Sequence, residues 1–168
     1  ITGAVQSNYV RTAAACAARM GMRCVVQLED RVAGKGALYH SSGNVLLNHL
    51  LGAEVIHYPH GEDESGADAS LEARAQAARA AGEVPYVIHL REQPRPLGAL
   101  GYVSAAEEVA AQLEHDQSAV HTIVVASGSA LTHAGLLVGL RAIGWDAVDV
   151  VGACVRRDAT QQAARVLR

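Results

Sequence analysis

The chain has 168 residues, half of them apolar, which is enough for one or at most two domains with a buried core. Its net charge is −3 and its Lys and Arg residues form no stripe, which argues against a nucleic-acid or acidic-membrane partner. No apolar segment has the length that crosses a bilayer, and no secretory signal is visible at the first residues. The chain opens with Ile1 and stops at Arg168 inside a helical pattern, so we expect an internal fragment of a longer protein.

Short β-rich runs alternate with amphipathic helical patterns along the first half of the chain. Strands are predicted at residues 1–5, 23–28, 54–58 and 85–90. Helices are predicted between them at residues 9–20, from Ser41 or Ser42 to Gly52, and from Ser70 to Gly82. In the last two, the serine is the candidate N-cap and the glycine marks the end of the helix.

The second half continues this alternation after an irregular segment at residues 91–96, where we expect a division between two lobes. A helix is predicted from the helical spacing of Tyr102, Ala106, Val109 and Leu113. It is followed by a strand, a helix, a strand and a helix, at residues 121–126, 132–143, 147–155 and 159–167. The apolar run at 122–126 is typical of a strand buried on both faces. The predicted fold class is α/β, with three-layer parallel sheets covered by helices on both faces.

Two polar clusters lie where a predicted strand ends and a helix begins. We call them the 6–8 turn (Gln6-Ser7-Asn8) and the 127–132 loop (Ser127 to Thr132). At such places unpaired backbone N–H groups and the positive end of the helix dipole attract anions. Two such turns in one α/β chain predict a ligand with a carboxylate at one end and a phosphate at the other. Ordinary capping of the following helix by Thr132 is an alternative of equal weight for the second cluster.

Cysteine and histidine give weaker signals. Cys16, Cys24 and Cys154 are widely spaced and contain no Cys-x-x-Cys pair, which favours buried, reduced thiols in a cytoplasmic protein. His57 and His60 lie around a predicted strand end without an evident third ligand, so no metal site is predicted.

Four motifs, taken together, carry a family resemblance. They are Gly3-Ala4-Val5-Gln6-Ser7-Asn8, Ser42-Gly43-Asn44-Val45-Leu46-Leu47, Leu97-Gly98-Ala99-Leu100-Gly101-Tyr102, and Val125-Ala126-Ser127-Gly128-Ser129 with Thr132-His133-Ala134-Gly135-Leu136. In order and rough spacing they resemble the pyridoxal-phosphate enzyme family that includes D-cysteine desulfhydrase, L-cysteate sulfo-lyase and 1-aminocyclopropane-1-carboxylate deaminase. The resemblance covers nearly the whole chain.

The resemblance implies a fold-type II, tryptophan-synthase-β-like enzyme that is incomplete at both ends. Residues 1–93 would be part of its small mobile domain, and residues 94–168 the start of its large domain, which binds pyridoxal phosphate. The resemblance also suggests that the full-length protein is a homodimer.

The resemblance also implies roles for individual residues. The cofactor phosphate would be held chiefly by the backbone N–H groups of Ser129, Ala130, Leu131 and Thr132. Asn8 would form a hydrogen bond with the ring oxygen of the cofactor. Ser7 would bind the substrate carboxylate or exchange a proton with the substrate, and the substrate-binding residues would be Ser7, Asn8 and Tyr9. His133 lies either near the cofactor or in first-turn packing, and both alternatives are kept.

The implied reaction is an elimination on a small amino acid such as D-cysteine, L-cysteate or 1-aminocyclopropane-1-carboxylate, giving a 2-oxo acid and ammonia. The sequence does not separate these substrates. Two other hypotheses are kept. One is a catalytically inactive relative, or the α/β domain of a degraded gene, that binds a phosphorylated small molecule. The other is an unrelated doubly wound domain that binds such a metabolite.

Several positions depart from the family pattern. Lys35 is the only lysine and lies between two glycines in a predicted loop, so the Schiff-base lysine is expected outside this chain and the fragment alone is expected to be inactive. Tyr9 stands where relatives usually have His, and Leu131 where they have a small residue. Residues 89–96 replace an apolar residue followed by Gly-Gly-Ser. Ser42-Gly43-Asn44 resembles the substrate-binding loop of cysteine synthases, but we interpret it as a helix cap.

Overall fold

The computed structural model describes residues 1–61, 63–89 and 96–168. The chain divides into two compact units, Ile1–Glu92 and Gln93–Arg168, which we call unit 1 and unit 2. In the described residues no helix is both long enough and apolar enough to cross a membrane.

Unit 1 is built on a parallel sheet of three strands in the order β1–β2–β3. The strands are β1 (Thr2–Ala4), β2 (Val25–Glu29) and β3 (Glu54–Tyr58). The helices are α1 (Asn8–Arg19), α2 (Ala37–Ser41), α3 (Asn44–Leu50) and α4 (Glu64–Ala80). These strands and α1 agree with the prediction to within two residues at each end.

The side chains of β2 alternate between two layers of helices. Val26 and Leu28 are buried in an apolar core together with Val10 of α1. Gln27, which lies between them and points to the other face, donates from Nε2 to the backbone oxygen of Ala67 in α4 at 2.9 Å. The sheet is therefore the middle of three layers, as predicted.

The layer between the sheet and α4 contains buried polar groups beside the apolar residues of the helix. Glu29 is fully buried, and its Oε2 accepts two hydrogen bonds from Arg31, at 2.9 and 2.7 Å. Its Oε1 accepts a third from the Thr2 hydroxyl at 2.7 Å. A buried carboxylate needs such partners because leaving it uncompensated costs several kcal/mol.

The start of α4 corrects the prediction that Ser70 caps this helix. The helix begins at Glu64, and the Asp63 carboxylate caps it by accepting from the Gly66 N–H at 2.8 Å. This hydrogen bond, with a second from the Tyr58 hydroxyl, lowers the pKa of Asp63. Ser70 lies inside the helix and donates to Gln27 at 2.8 Å.

The helix predicted between Ser41 or Ser42 and Gly52 is divided in two. Helix α2 ends at Ser41, and α3 begins after Gly43, which provides no side-chain cap. The Ser41 and Ser42 hydroxyls donate backwards along the chain, to the carbonyls of Ala37 and Leu38 at 2.9 and 2.6 Å. The prediction that one of these serines caps the helix is therefore wrong.

The fourth strand, predicted at residues 85–90, is not formed by the described residues 85–89. Its sequence is apolar, but Tyr86 is 78% exposed and no ladder pairs this segment with the sheet. His89 instead lies beside two carboxylates, with ring nitrogens 3.3 Å from Asp68 and 3.0 Å from Glu72. The predicted irregular segment and the unusual motif at 89–96 lie mostly outside the described residues.

Unit 2 contains a parallel pair of strands and three helices. The strands are β4 (Thr122–Ser127) and β5 (Asp149–Cys154), and the helices are α5 (Leu97–His115), α6 (Leu131–Ala142) and α7 (Ala159–Val166). Its apolar core includes Ala106 of α5, Leu136 and Leu140 of α6, and Val148. These five elements confirm the predicted pattern of the second half.

One face of this strand pair is open, which corrects the prediction that the 122–126 strand is buried on both faces. Ile123 and Val125 pack against the core, whereas Val124 is 69% exposed. Its register partner Val151 on β5 is exposed as well. An apolar run alone does not distinguish a strand covered on both faces from one covered on a single face.

The three cysteines are free, as predicted, but they are not buried. Cys16 and Cys154 are exposed and Cys24 is partly buried, where desolvation raises the pKa of its thiol. Cys16 lies on the exposed side of α1. No three His, Cys, Asp or Glu side chains of the described part of the chain are arranged to hold a metal ion.

Candidate active site

The 6–8 turn joins β1 to α1 and belongs to unit 1. Ser7 is the N-cap of α1, with extended backbone angles (φ −66°, ψ 120°), and its Oγ accepts from the Val10 N–H at 3.2 Å. The hydroxyl hydrogen of Ser7 can still be donated to a ligand. Gly3 allows this tight turn, because a Cβ there would lie 2.7 Å from Val10 Cγ2 and 3.2 Å from Ser7 Oγ.

Asn8 and Tyr9 are the first two residues of α1, and both are exposed. Partial burial raises the pKa of Tyr9, and the nearby phenol of Tyr86 raises it further. Tyr9 therefore keeps its proton at neutral pH and can donate a hydrogen bond. A histidine at this position would instead titrate near neutrality, so the two side chains are not chemically equivalent.

The segment from Tyr39 to Asn44, which we call the 39–44 segment, is fastened to the 6–8 turn through Gln6. Nε2 of Gln6 donates to the carbonyls of Tyr39 and Ser42 at 2.6 and 3.0 Å. Its Oε1 accepts from the backbone N–H of Asn44 at 2.9 Å. One side chain thus satisfies three backbone groups of a segment that lies more than thirty positions along the chain.

Asn44 adds a direct link to Asn8. Its Nδ2 donates both to the carbonyl of Gln6, at 2.9 Å, and to Oδ1 of Asn8, at 2.8 Å. As interpreted, Ser42-Gly43-Asn44 lies at a helix start, with Gly43 at the N-cap position of α3, although no side chain of the motif caps the helix. These residues also form a partner of the 6–8 turn. Gln6 and Asn44 were not among the predicted site residues, although the Ser-Gly-Asn motif was the signal that could have found Asn44.

The 127–132 loop follows β4 and leads into α6 in unit 2. Ala130 is the N-cap of α6, with a left-handed backbone (φ 77°) and no capping side chain. Thr132 lies in the first helical turn, so the alternative in which Thr132 caps the helix is wrong. Within the described residues, no acceptor pairs with the N–H groups of residues 129–132. These groups are available to an anion, and the positive end of the helix dipole favours one there.

Two arginines hold the carbonyl side of this loop. Arg157 donates to the carbonyl of Gly128 at 3.0 Å, and Arg165 donates to that of Ser129 at 3.2 Å. In a planar trans peptide, the carbonyl of one residue and the N–H of the next point in opposite directions. The N–H groups of Ser129 and Ala130 are therefore directed away from the two guanidinium groups.

Ser127, the last residue of β4 and the first of the loop, is the centre of a buried polar cluster. Its hydroxyl accepts from Nε2 of Gln162 at 2.8 Å and lies 3.3 Å from Nδ1 of His133. The other ring nitrogen of His133 lies 3.2 Å from the carbonyl of Val150. A Cβ on Gly152 would come within 2.6 Å of this ring. Of the two alternatives for His133, the structure shows first-turn packing, against β4 and β5.

The side chain of the unusual Leu131 is directed toward α5. A Cβ on Gly98 of α5 would lie 3.2 Å from Leu131 Cδ1, so this side chain reaches toward the start of α5. The bulk of leucine is therefore accommodated by a glycine opposite it. The predicted residues Ser7, Asn8 and Tyr9 thus lie together in unit 1, and Ser129, Ala130, Leu131 and Thr132 lie together in unit 2.

Comparison with known proteins identifies the family. The model of the family described as "Pyridoxal-phosphate dependent enzyme" matches residues 1–166. The chain is 42% identical to D-cysteine desulfhydrase of Yersinia pestis (strain Pestoides F) over 164 residues, which are 98% of this chain and 48% of that protein. It is 41% identical to D-cysteine desulfhydrase of Klebsiella pneumoniae, with the same coverage of both chains. The chain thus spans about half the length of the curated relatives it matches.

A solved structure of an ACC deaminase homologue superimposes with a TM-score of 0.73 and 31% identity, covering 98% of this chain and 47% of that one. A diaminopropionate ammonia lyase from Escherichia coli superimposes with a TM-score of 0.62 at 17% identity, over 90% of this chain and 36% of that one, which supports the fold alone. The predicted family resemblance and the fold-type II, tryptophan-synthase-β-like fold are confirmed, and the predicted cofactor is that of the family. By the family match and by its sequence relatives, the chain belongs to the pyridoxal-phosphate dependent enzymes.

Proposed function

We propose that this chain is the part of a pyridoxal-phosphate dependent lyase or deaminase that binds the cofactor phosphate and the substrate carboxylate. The complete protein would carry out an elimination on a small amino acid of the D-cysteine, L-cysteate or 1-aminocyclopropane-1-carboxylate type, giving a 2-oxo acid and ammonia. The names of the relatives, D-cysteine desulfhydrase and ACC deaminase homologue, support this reaction class. No finding favours the alternative of an inactive relative.

The observation that carries the proposal is the set of free N–H groups at residues 129–132. A phosphate needs several N–H donors close together, and here those of Ser129 and Ala130 face away from Arg157 and Arg165 at the start of a helix. The small, left-handed Ala130 lets the backbone approach a ligand closely. The residues present therefore fit a phosphate group, and we assign Ser129, Ala130, Leu131 and Thr132 to it.

We assign the other end of the ligand to the 6–8 turn. Ser7 would donate its hydroxyl hydrogen to the substrate carboxylate, because its oxygen already accepts from the Val10 N–H. The positive end of α1 would favour the negative charge at this place. Asn8 would donate to the ring oxygen of the cofactor, and Tyr9 would add a phenol donor for the substrate.

The cofactor, when bound, would supply an electron sink for the negative charge that develops on the substrate carbon skeleton during the reaction. The residues of this chain bind the two anionic ends and orient the substrate between them. Ser7 is the residue of this chain proposed to exchange a proton with the substrate. Lys35 is exposed in the loop after β2, so we place the lysine that attaches the cofactor outside this chain and expect the chain alone to be inactive.

We further propose that residues 1–93 belong to the small mobile domain of the complete enzyme, and that residues 94–168 begin its large domain. From the family resemblance we propose a homodimer. The three free thiols support a cytoplasmic location. Size-exclusion chromatography with light scattering on the complete gene product tests the oligomeric state, and a monomer would contradict it.

The phosphate assignment is tested by Thr132→Glu in the complete gene product. A carboxylate in the first turn of α6 would repel the phosphate, so we expect the cofactor to be lost on gel filtration and its visible absorption with it. The matched control is Thr122→Glu, an exposed threonine at the opposite end of β4. Undiminished retention by Thr132→Glu would refute the assignment.

A further inference from the structure

We propose that Asn44 is a positioning residue that fixes the orientation of the Asn8 amide, so that Asn8 can only donate to the ligand. The inference rests on the proposed function, because it concerns the same cofactor ring oxygen. It also gives a role to the Ser-Gly-Asn motif of the 39–44 segment.

The orientation of these amides follows from backbone groups whose roles are unambiguous. The carbonyl of Gln6 can only accept, so the Asn44 side-chain atom 2.9 Å away must be the NH2 nitrogen. The same nitrogen lies 2.8 Å from one amide atom of Asn8, which must therefore be the oxygen. Without such a chain of contacts, the two ends of an asparagine amide cannot be assigned.

The Gln6 side chain is fixed by the same reasoning. The N–H of Asn44 can only donate, so the atom of Gln6 that it meets at 2.9 Å is the oxygen. The other end of that amide then faces two carbonyls, those of Tyr39 and Ser42. All five hydrogen bonds between the 6–8 turn and the 39–44 segment agree on one orientation.

The backbone at Gly43 makes this arrangement specific. Its φ of 57° and ψ of −130° belong to a region that side chains disfavour, and a Cβ there would lie 2.6 Å from Oε1 of Gln6. Gly43 therefore lets the 39–44 segment approach Gln6 closely enough for Asn44 to reach both Gln6 and Asn8.

The hydrogen bond from Asn44 determines whether Asn8 presents its NH2 donor or its Oδ1 acceptor to a ligand. With Oδ1 of Asn8 occupied by Asn44, the NH2 group of Asn8 is left at the start of α1, and no described residue accepts from it. An ionised ring oxygen is an acceptor, so the NH2 end of Asn8 attracts it and the Oδ1 end would repel it. Asn44 thus decides which of these two ends the ligand meets.

The test is Asn44→Asp in the complete gene product loaded with pyridoxal phosphate. The introduced carboxylate cannot donate, so it repels the Gln6 carbonyl and Oδ1 of Asn8, and the Asn8 amide rotates. We expect the cofactor dissociation constant to rise about tenfold, as for a lost hydrogen bond to a charged group. Loss of that donor also makes the ring oxygen easier to protonate, so the pH at which the visible spectrum changes should move upward.

Three companion variants make the result decisive. Asn8→Ala should shift the affinity and the spectrum in the same directions as Asn44→Asp. Ser41→Ala removes an exposed hydroxyl of the same segment that donates to Ala37 and should leave both unchanged. Asn44→Ala should show the same upward spectral shift with a smaller loss of affinity, and it decides the question if Asn44→Asp does not fold. A purely structural role would lower the melting temperature without moving the spectral transition.

The outcomes separate the inference from the proposed function. If the wild-type protein takes up no cofactor, both are overturned. If the wild-type protein and Asn8→Ala behave as expected but the Asn44 variants keep the wild-type affinity and spectrum, the inference alone is overturned.

Discussion

Buried polar side chains hold the proposed ligand-binding turns in place, and the Ser127 hydroxyl in unit 2 is an example. Ser127 is 1% exposed, and its hydroxyl serves Gln162 of α7 and His133 of α6 at the point where β4 becomes the 127–132 loop. A buried donor that loses its acceptor has no water to replace it, so such a hydroxyl has a larger effect than a typical surface hydrogen bond.

We expect Ser127→Ala to lower the free energy of unfolding by about 1–3 kcal/mol, because Nε2 of Gln162 would be left buried without its acceptor. Urea denaturation followed by circular dichroism measures this difference. Ser118→Ala is the control, since Ser118 is exposed and its hydroxyl makes a long hydrogen bond of 3.5 Å. Equal stability of the Ser127 variant and wild type would mean that the buried cluster contributes nothing.

Among the helices, α5 and α6 pack through glycine. Gly135 and Gly139 lie one turn apart on α6, and both face α5. A Cβ on Gly135 would lie 2.6 Å from Cβ of Tyr102, and one on Gly139 would lie 2.6 Å from Cβ of Ala106. These two glycines therefore set the distance between the helices, and α6 in turn carries the N–H groups assigned to the phosphate.

Gly139→Ala should destabilise the protein by about 1–3 kcal/mol, because the added methyl overlaps α5. Helix propensity alone predicts the opposite sign, since alanine is favoured over glycine in a helix by about 1 kcal/mol. Gly101→Ala supplies the contrast: Gly101 lies inside α5 with open space around it, and its replacement should stabilise the protein slightly. Thermal unfolding of the two variants checks this, and a stabilised Gly139→Ala would show that the helices can move apart without cost.

At the scale of the whole chain, residues 1–168 form two units, and each contains one of the two proposed ligand-binding turns. The chain spans about half the length of its curated relatives, and under the proposed function the groups that it lacks are supplied by the rest of the complete protein. The clearest such group is the lysine that attaches the cofactor, because Lys35 is the only lysine of the 168 residues and is exposed in a loop.

Lys35→Arg should therefore leave cofactor attachment unchanged in the complete gene product. An exposed ammonium on a loop between two glycines has no packing that would hold it in one geometry. Borohydride reduction followed by peptide mass spectrometry locates the modified lysine. If Lys35 itself carries the reduced cofactor, or if the Lys35→Arg variant no longer attaches the cofactor, the attachment lysine lies inside this chain and the placement outside it is disproved.

Most of the elements, and the positions of the two proposed ligand-binding turns, could be predicted from the amino-acid sequence. Helical and strand periodicity, and the polar residues that follow β1 and β4, depend on neighbours within a few positions, so they can be read locally. The same reasoning failed at residues 85–89, where an apolar run met no partner strand, and at Ser70, where Asp63 caps the helix earlier.

The support of each turn, in contrast, depends on contacts that only the packed chain creates. Asn44 meets Asn8, and Arg157 meets Gly128, because folding brings distant segments together. Hydrogen-bond partners far apart in sequence leave no periodic signal, because each needs only one suitable polar group at the right place. The places of the two turns along the chain were therefore predictable, whereas the amide orientation and the direction of the loop N–H groups required the folded structure.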